Sequence, residues 1–186
     1  MTCPKRPILI NQENPLPDGY RVKTRKISKD YEMQEQAACC AVKMLEAAKA
    51  DGVKINIISA YRSTEYQKKL FDEDVSKYMA QGLSFEEAFK KTSQSLALPG
   101  RSEHNSGLAI DLLSDEWNDL TEGFENTAAF NWLDKNAYKY GFILRYPRGK
   151  EDITGIIYEP WHYRYVGRGW AKHLKKSGKV LEELYC

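Results

Sequence analysis

No run of about 18 apolar residues occurs anywhere in the 186-residue chain, so nothing in it reads as a membrane-spanning helix. Charge of one sign is also missing. Lysine and arginine number 28 against 26 acidic residues, a net charge of +2. The one dense basic cluster, Lys172 to Lys179, is too short to suggest nucleic acid as a partner. Cysteine is sparse: Cys3, Cys39, Cys40 and Cys186 form no CxxC pair and lie far from the histidines, which argues for free thiols rather than metal ligands. Internal repeats and low-complexity tracts are absent. The start, Met1 to Arg6, is charged but leads into no apolar signal core, so the chain reads as cytoplasmic, or as a cell-envelope protein if an N-terminal anchor has been lost. The length fits a single catalytic domain over 1–186, large enough to bury a core without staples.

What is present begins with amphipathic order. Met33, Ala37, Ala41, Met44 and Ala48 recur at helical spacing within residues 29–50, with Gly52 as a stop. Val53 to Ser59 reads as a buried strand ending at Ala60-Tyr61-Arg62. Thr64-Glu65-Tyr66-Gln67 and Ser84-Phe85-Glu86-Glu87 fit capping boxes and predict two helices separated by a turn at Gly82. Asn126 is placed to cap a helix ending at Gly141. Leu108 to Leu113 predicts a strand, and Phe142 to Arg145, Ile153 to Tyr158 and His162 to Val166 predict antiparallel strands. Helices mostly first and hairpin-like strands mostly last favour an α+β fold.

Two of the chain's three histidines, His104 and His162, sit close to carboxylates in short segments more than forty residues apart. The third, His173, lies among lysines on a polar helix and reads as solvated surface. His104 and Asp111 would be roughly 23 Å apart on a fully extended chain, whereas ligands of one ion each lie about 2 Å from it, so a reversal is required between them. Asn105-Ser106-Gly107 supplies turn chemistry there. His162 follows Glu159-Pro160-Trp161, a bend after an extended glutamate. Two imidazoles and one carboxylate are the donor set of a catalytic zinc with an open position, and Glu159 is left over as the base that takes a proton from water and returns one to the leaving amine. Blander readings exist for each: a turn histidine and an ion-paired aspartate, a core histidine at 162, and a Glu159 bridged to Arg145 or Arg164.

The spacing SxHxxGxAxD, carried by Ser102, His104, Gly107, Ala109 and Asp111, is followed by Glu159-Pro160-Trp161-His162-Tyr163-Arg164-Tyr165-Val166-Gly167. With Ser59-Ala60-Tyr61-Arg62-Ser63, Gln67, Leu98-Pro99-Gly100 and Gly141 to Pro147, these residues resemble the VanY-type D-alanyl-D-alanine carboxypeptidases and their VanXY relatives, over about residues 8–167. The resemblance implies an α+β fold of the hedgehog and D,D-peptidase kind, with a mostly antiparallel sheet carrying a one-zinc site and helices packed against it. It implies His104, Asp111 and His162 as zinc ligands, Glu159 as catalytic base, Arg62 as donor to the scissile carbonyl, and Ser102 and Gln67 as substrate-holding residues. The substrate implied is the D-Ala-D-Ala end of a peptidoglycan stem peptide or precursor, or the free dipeptide. Arg62 could instead pair with Glu65, Gln67 could serve the capping box of Thr64, and Ser102 could satisfy loop backbone. A D-Ala-D-Ala dipeptidase, a bifunctional VanXY-like enzyme, an L,D-carboxypeptidase, a wall endopeptidase and a noncatalytic zinc-containing wall-binding module are the competing functions. An intact Glu159 disfavours the last, because binding needs the ligands but not the base.

Overall fold

A computed structural model describes residues 6–185, and its elements alternate early helices with a late antiparallel sheet. In chain order they are β1 (Thr24–Lys26), β2 (Glu32–Gln34), α1 (Glu35–Ala50), β3 (Asn56–Ser59), α2 (Thr64–Ala80), α3 (Phe85–Thr92), β4 (Ala109–Leu113), α4 (Ala128–Asn136), β5 (Phe142–Tyr146), α5 (Glu151–Thr154), β6 (Glu159–Tyr165) and α6 (Arg168–Ser177). Short 3-10 turns occupy Glu103–Ser106, Glu122–Asn126, Ala137–Tyr140 and Glu182–Leu184. β1 and β2 form a separate hairpin, and the main sheet runs β3-β4-β6-β5 with every pair antiparallel. The α+β expectation holds. Among the described residues no helix is long and apolar enough to cross a membrane.

Alternation along β4 decides which side of the sheet carries chemistry. Ile110 and Leu112 join Ala37, Ala41, Met44 and Ala48 of α1 in the main core, while Ala109 and Asp111 face away. Small residues let α1 lie close to the sheet, and each fully buried Leu or Ile there contributes about 1.5–3 kcal/mol. α2 and α3 form a hairpin around Phe71, Val75 and Ala88, with Gly82 in the turn. α6 packs Ala171 and Leu174 against Ile143 and Leu181.

Five local expectations are corrected. The helix expected from residue 29 starts only at Glu35, because Gln34 N–H donates to Gly107 O (2.8 Å) and Glu32 O accepts from Tyr61 N–H (2.9 Å). Those bonds hold β2 extended, and the Gln34 side chain caps α1 instead. α2 is capped by Ser63 rather than Thr64, and α4 by Thr127 rather than Asn126. Ile153 to Tyr158 is not a strand: its start closes the helical turn α5, and Gly155 at φ 73° ends it. Strand β3 begins at Asn56 and is half-buried rather than buried, because it lies at the sheet edge with Ile58 36% exposed. The Ser84–Glu87 capping box and the Gly141 stop form as expected. Cys39 and Cys40 on α1 are free thiols, while Cys3 and Cys186 lie outside the described residues.

Candidate active site

The reversal required between His104 and Asp111 is made by the 3-10 turn Glu103–Ser106 and by Gly107, whose φ of 71° suits a residue without Cβ. Ser102 caps that turn, its Oγ accepting from His104 N–H (3.3 Å). Asp111 pairs directly across β4 and β6 with His162 and across β4 and β3 with Ser59. Glu159 and His162 are three residues apart and should face opposite sides of a regular strand. The β5–β6 register shifts between Leu144 and Tyr146, around Pro160, and this irregularity resets the alternation. Glu159 Oε2 consequently lies 3.8 Å from His162 Nδ1.

One ligand atom from each of His104, Asp111 and His162 falls within 4.8 Å of the other two, and all three residues are buried. His104 Nδ1 lies 2.6 Å from Ala60 O, which assigns the ring proton to Nδ1 and leaves the Nε2 lone pair facing Asp111 Oδ2 at 3.2 Å. His162 Nδ1 faces Asp111 Oδ1 at 3.0 Å, and the two rings stand edge to face at 5.0 Å. These are ion-pair distances without hydrogen-bond alignment: His104 Nε2 and Asp111 Oδ1 are buried with no hydrogen-bond partner. These two unpartnered atoms, converging with His162 Nδ1, give two imidazoles and a carboxylate, a donor set that fits a divalent metal.

Electrostatics grade the site. Burial, with the charge of Arg62, lowers the His104 imidazole to about 4, so it stays neutral. Burial alone would lower His162 too, but the facing carboxylates of Asp111 and Glu103 outweigh it and raise the ring to about 9. Burial would raise Asp111, yet His104 and His162 hold it well below the usual carboxylate range. Burial pushes the Glu159 carboxyl up to about 8, despite the opposing charge of His162. Two carboxyls in one pocket are thus driven apart, Asp111 held ionised and Glu159 held toward its neutral form.

Arg62 enters from the loop after β3. Its Nη2 donates to Asp111 Oδ2 (2.9 Å), Nη1 to Gln67 Oε1 (3.1 Å) and Nε to Ser59 Oγ (2.8 Å), with no bridge to Glu65. Gln67 is fully buried, and its Nε2 donates to Ala97 O (2.7 Å). It is not among the residues lining the cavity and instead meets the guanidinium that does line it. A cavity of about 700 Å³ opens over Arg62, Ser102, His104, Asp111, Glu159 and His162, with Trp161 and Tyr146 in its wall.

Glu103 was overlooked in the sequence. It is 2% exposed, with Oε1 accepting from Arg145 Nε (2.7 Å) and Arg164 Nη1 (2.6 Å), and Oε2 lying 3.4 Å from His162 Nε2. Burial would raise its carboxyl, but both guanidiniums hold it well below the usual range. The two arginines offered as partners for Glu159 therefore belong to Glu103. The available signal was chemical: arginines among apolar residues of two strands need a buried acid.

Among families, the VanY D-alanyl-D-alanine carboxypeptidase model matches residues 30–168. The chain is 39% identical over 178 residues to a D-alanyl-D-alanine carboxypeptidase of Enterococcus faecalis, covering 95% of this chain and 64% of that protein. The chain thus spans somewhat under two thirds of that relative's length. Among solved structures, it is similar to a mutant of the vancomycin-resistance D,D-pentapeptidase VanY in complex with Zn(II), with TM-score 0.86, 38% identity, and 96% and 98% of the two chains covered. VanYB in complex with D-alanine-D-alanine matches equally well, at TM-score 0.86 and 39% identity over 96% of each chain.

Proposed function

The chain belongs to the VanY D-alanyl-D-alanine carboxypeptidase family, and from that premise we propose that it is a zinc-dependent D,D-carboxypeptidase acting on peptidoglycan stem peptides or precursors that end in D-Ala-D-Ala. One observation carries the reading: His104, Asp111 and His162 converge on one point while Glu159 stands beside it. In this reading His104 Nε2, an Asp111 oxygen and His162 Nδ1 hold the ion. Zinc, when bound, acidifies water and polarises the scissile carbonyl. Glu159 takes a proton from the attacking water and passes one to the departing D-alanine amine, a task suited to a carboxyl that burial has raised toward neutrality. Arg62 has five N–H donors, and its bonds to Asp111, Gln67 and Ser59 occupy three. The remaining two serve the carbonyl oxygen as negative charge builds there. Ser102 accepts from His104 N–H, which leaves its own O–H to donate to the substrate carboxylate.

The chain acts here as one catalytic domain, a reading supported by the ties of Ile8 and Glu182 to the arginines behind the site. The test is release of D-alanine from a pentapeptide precursor with zinc, after chelation, and by Glu159→Gln. Loss of turnover in both, with zinc still bound by Glu159→Gln, is expected. Turnover that survives both would end the proposal. Parallel assays on free D-Ala-D-Ala and on a tetrapeptide ending in L,D linkage separate dipeptidase and L,D-carboxypeptidase activity.

A further inference from the structure

Glu103 neither belongs to the ligand trio nor stands where a base would, yet it touches one ligand from behind. We propose that Glu103 is a positioning residue that fixes the His162 imidazole for metal binding, and that it is itself held by a buried ion-pair chain anchored at Glu182. The proposal rests on the zinc-site reading above and extends it to the far end of the chain.

The geometry is directional. His162 Nδ1 points at Asp111 Oδ1 (3.0 Å) and Nε2 at Glu103 Oε2 (3.4 Å). Turning the ring over would replace both nitrogens by carbons, so a carboxylate at Nε2 selects one of two ring orientations. With Arg145 and Arg164 both donating to Oε1, Glu103 is an acceptor only. A ring proton therefore faces it from Nε2, and Nδ1, beside Asp111 in the cavity, is the nitrogen that would meet a metal. A carboxylate behind a metal-binding histidine commonly sets ring orientation and ligand basicity in this way.

Glu103 is fixed in turn. Arg145 makes a two-pronged contact with Glu182, Nη1 to Oε2 at 2.9 Å and Nη2 to Oε1 at 2.6 Å. Arg164 donates from Nη2 to Ile8 O (2.7 Å). Both arginines are fully buried. Buried ion pairs add little net stability compared with apolar packing, so stability alone is a poor reason for two arginines and two glutamates here. Holding an imidazole is a better one. The family model ends at residue 168, but the support of the site extends to Glu182.

The test compares wild type, Glu103→Gln and Glu182→Gln by zinc affinity, in competition with a chromophoric chelator, and by the visible spectrum of the cobalt(II)-substituted protein. Thr127→Ala serves as a stability-only reference, expected to melt earlier with an unchanged cobalt spectrum. Glu103→Gln should lose about 10–100-fold in zinc affinity and shift the cobalt bands. Glu182→Gln should show a smaller loss in the same direction. Folded variants that bind zinc within threefold of wild type, with superimposable cobalt spectra, overturn the proposal. If Glu103→Gln does not fold, Glu182→Gln decides alone, and wild-type affinity and spectrum there overturn it equally. A wild type that binds no zinc sinks the metal-site reading and this inference with it, whereas a zinc-binding wild type with indifferent variants sinks this inference only.

Discussion

Replacing Gly107 by alanine tests whether the His104–Asp111 reversal is held as tightly as the structure indicates. Left-handed backbone costs a residue with Cβ about 1–2 kcal/mol. At Gly107, φ is 71°, and a Cβ would lie 2.9 Å from Gln34 N and 3.1 Å from Val22 Cγ2. Gln34 N–H also donates to Gly107 O at 2.8 Å, so the backbone cannot retreat without straining a bond worth about 1 kcal/mol. Reduced freedom in the unfolded chain returns about 0.4–1 kcal/mol. The net expectation is a loss of about 2–4 kcal/mol, or a fall in Tm of roughly 6–12 °C for the middle of that range. Gly149 is the control: its φ is 78° but nothing lies within 4 Å of its Cβ position, so Gly149→Ala should cost only about 1 kcal/mol. Urea denaturation with excess chelator measures both without a contribution from metal binding. The reasoning fails if Gly107→Ala costs no more than Gly149→Ala.

Arg62→Lys should retain zinc while kcat/KM for D-alanine release falls about 10²–10³-fold, because an ammonium cannot bridge Asp111, Gln67 and a substrate oxygen together; unchanged kcat/KM removes Arg62 from the chemistry. Gln67→Ala should lower kcat/KM through a loosened Arg62, and an effect confined to KM would restore Gln67 to direct substrate contact. Thr127→Ala should cost about 1 kcal/mol in denaturant unfolding and Asn126→Ala close to nothing, since Thr127 Oγ1 is the group accepting from Phe130 N–H. Equal costs would contradict the assigned cap.

The segments that bring His104, Asp111 and His162 together were legible because turn chemistry, strand alternation and residue type all agreed at 102–111 and again at 159–166. The parity of Glu159 and His162 was not, because a register shift leaves no mark in one strand's sequence; Pro160 is its only hint. β2 escaped notice because Met33 fits a helical spacing, and only bonds to Gly107 and Tyr61, distant in sequence, hold it extended. Gln67 matched a capping pattern that Ser63 satisfies one residue earlier. Glu103 was hidden beside a more conspicuous histidine, since its partners are 42 and 61 positions away.

The anchor at Glu182 bears on how the protein is made. Chains emerge from the ribosome N-terminus first, so His104, Asp111 and His162 are all synthesised before Glu182. Until then Arg145 holds only one of its two carboxylate partners, and the rear of the His162 pocket lacks its last tie. The nascent polypeptide therefore completes the support behind its histidine–carboxylate cluster only after translation has passed residue 182, some 20 positions beyond His162.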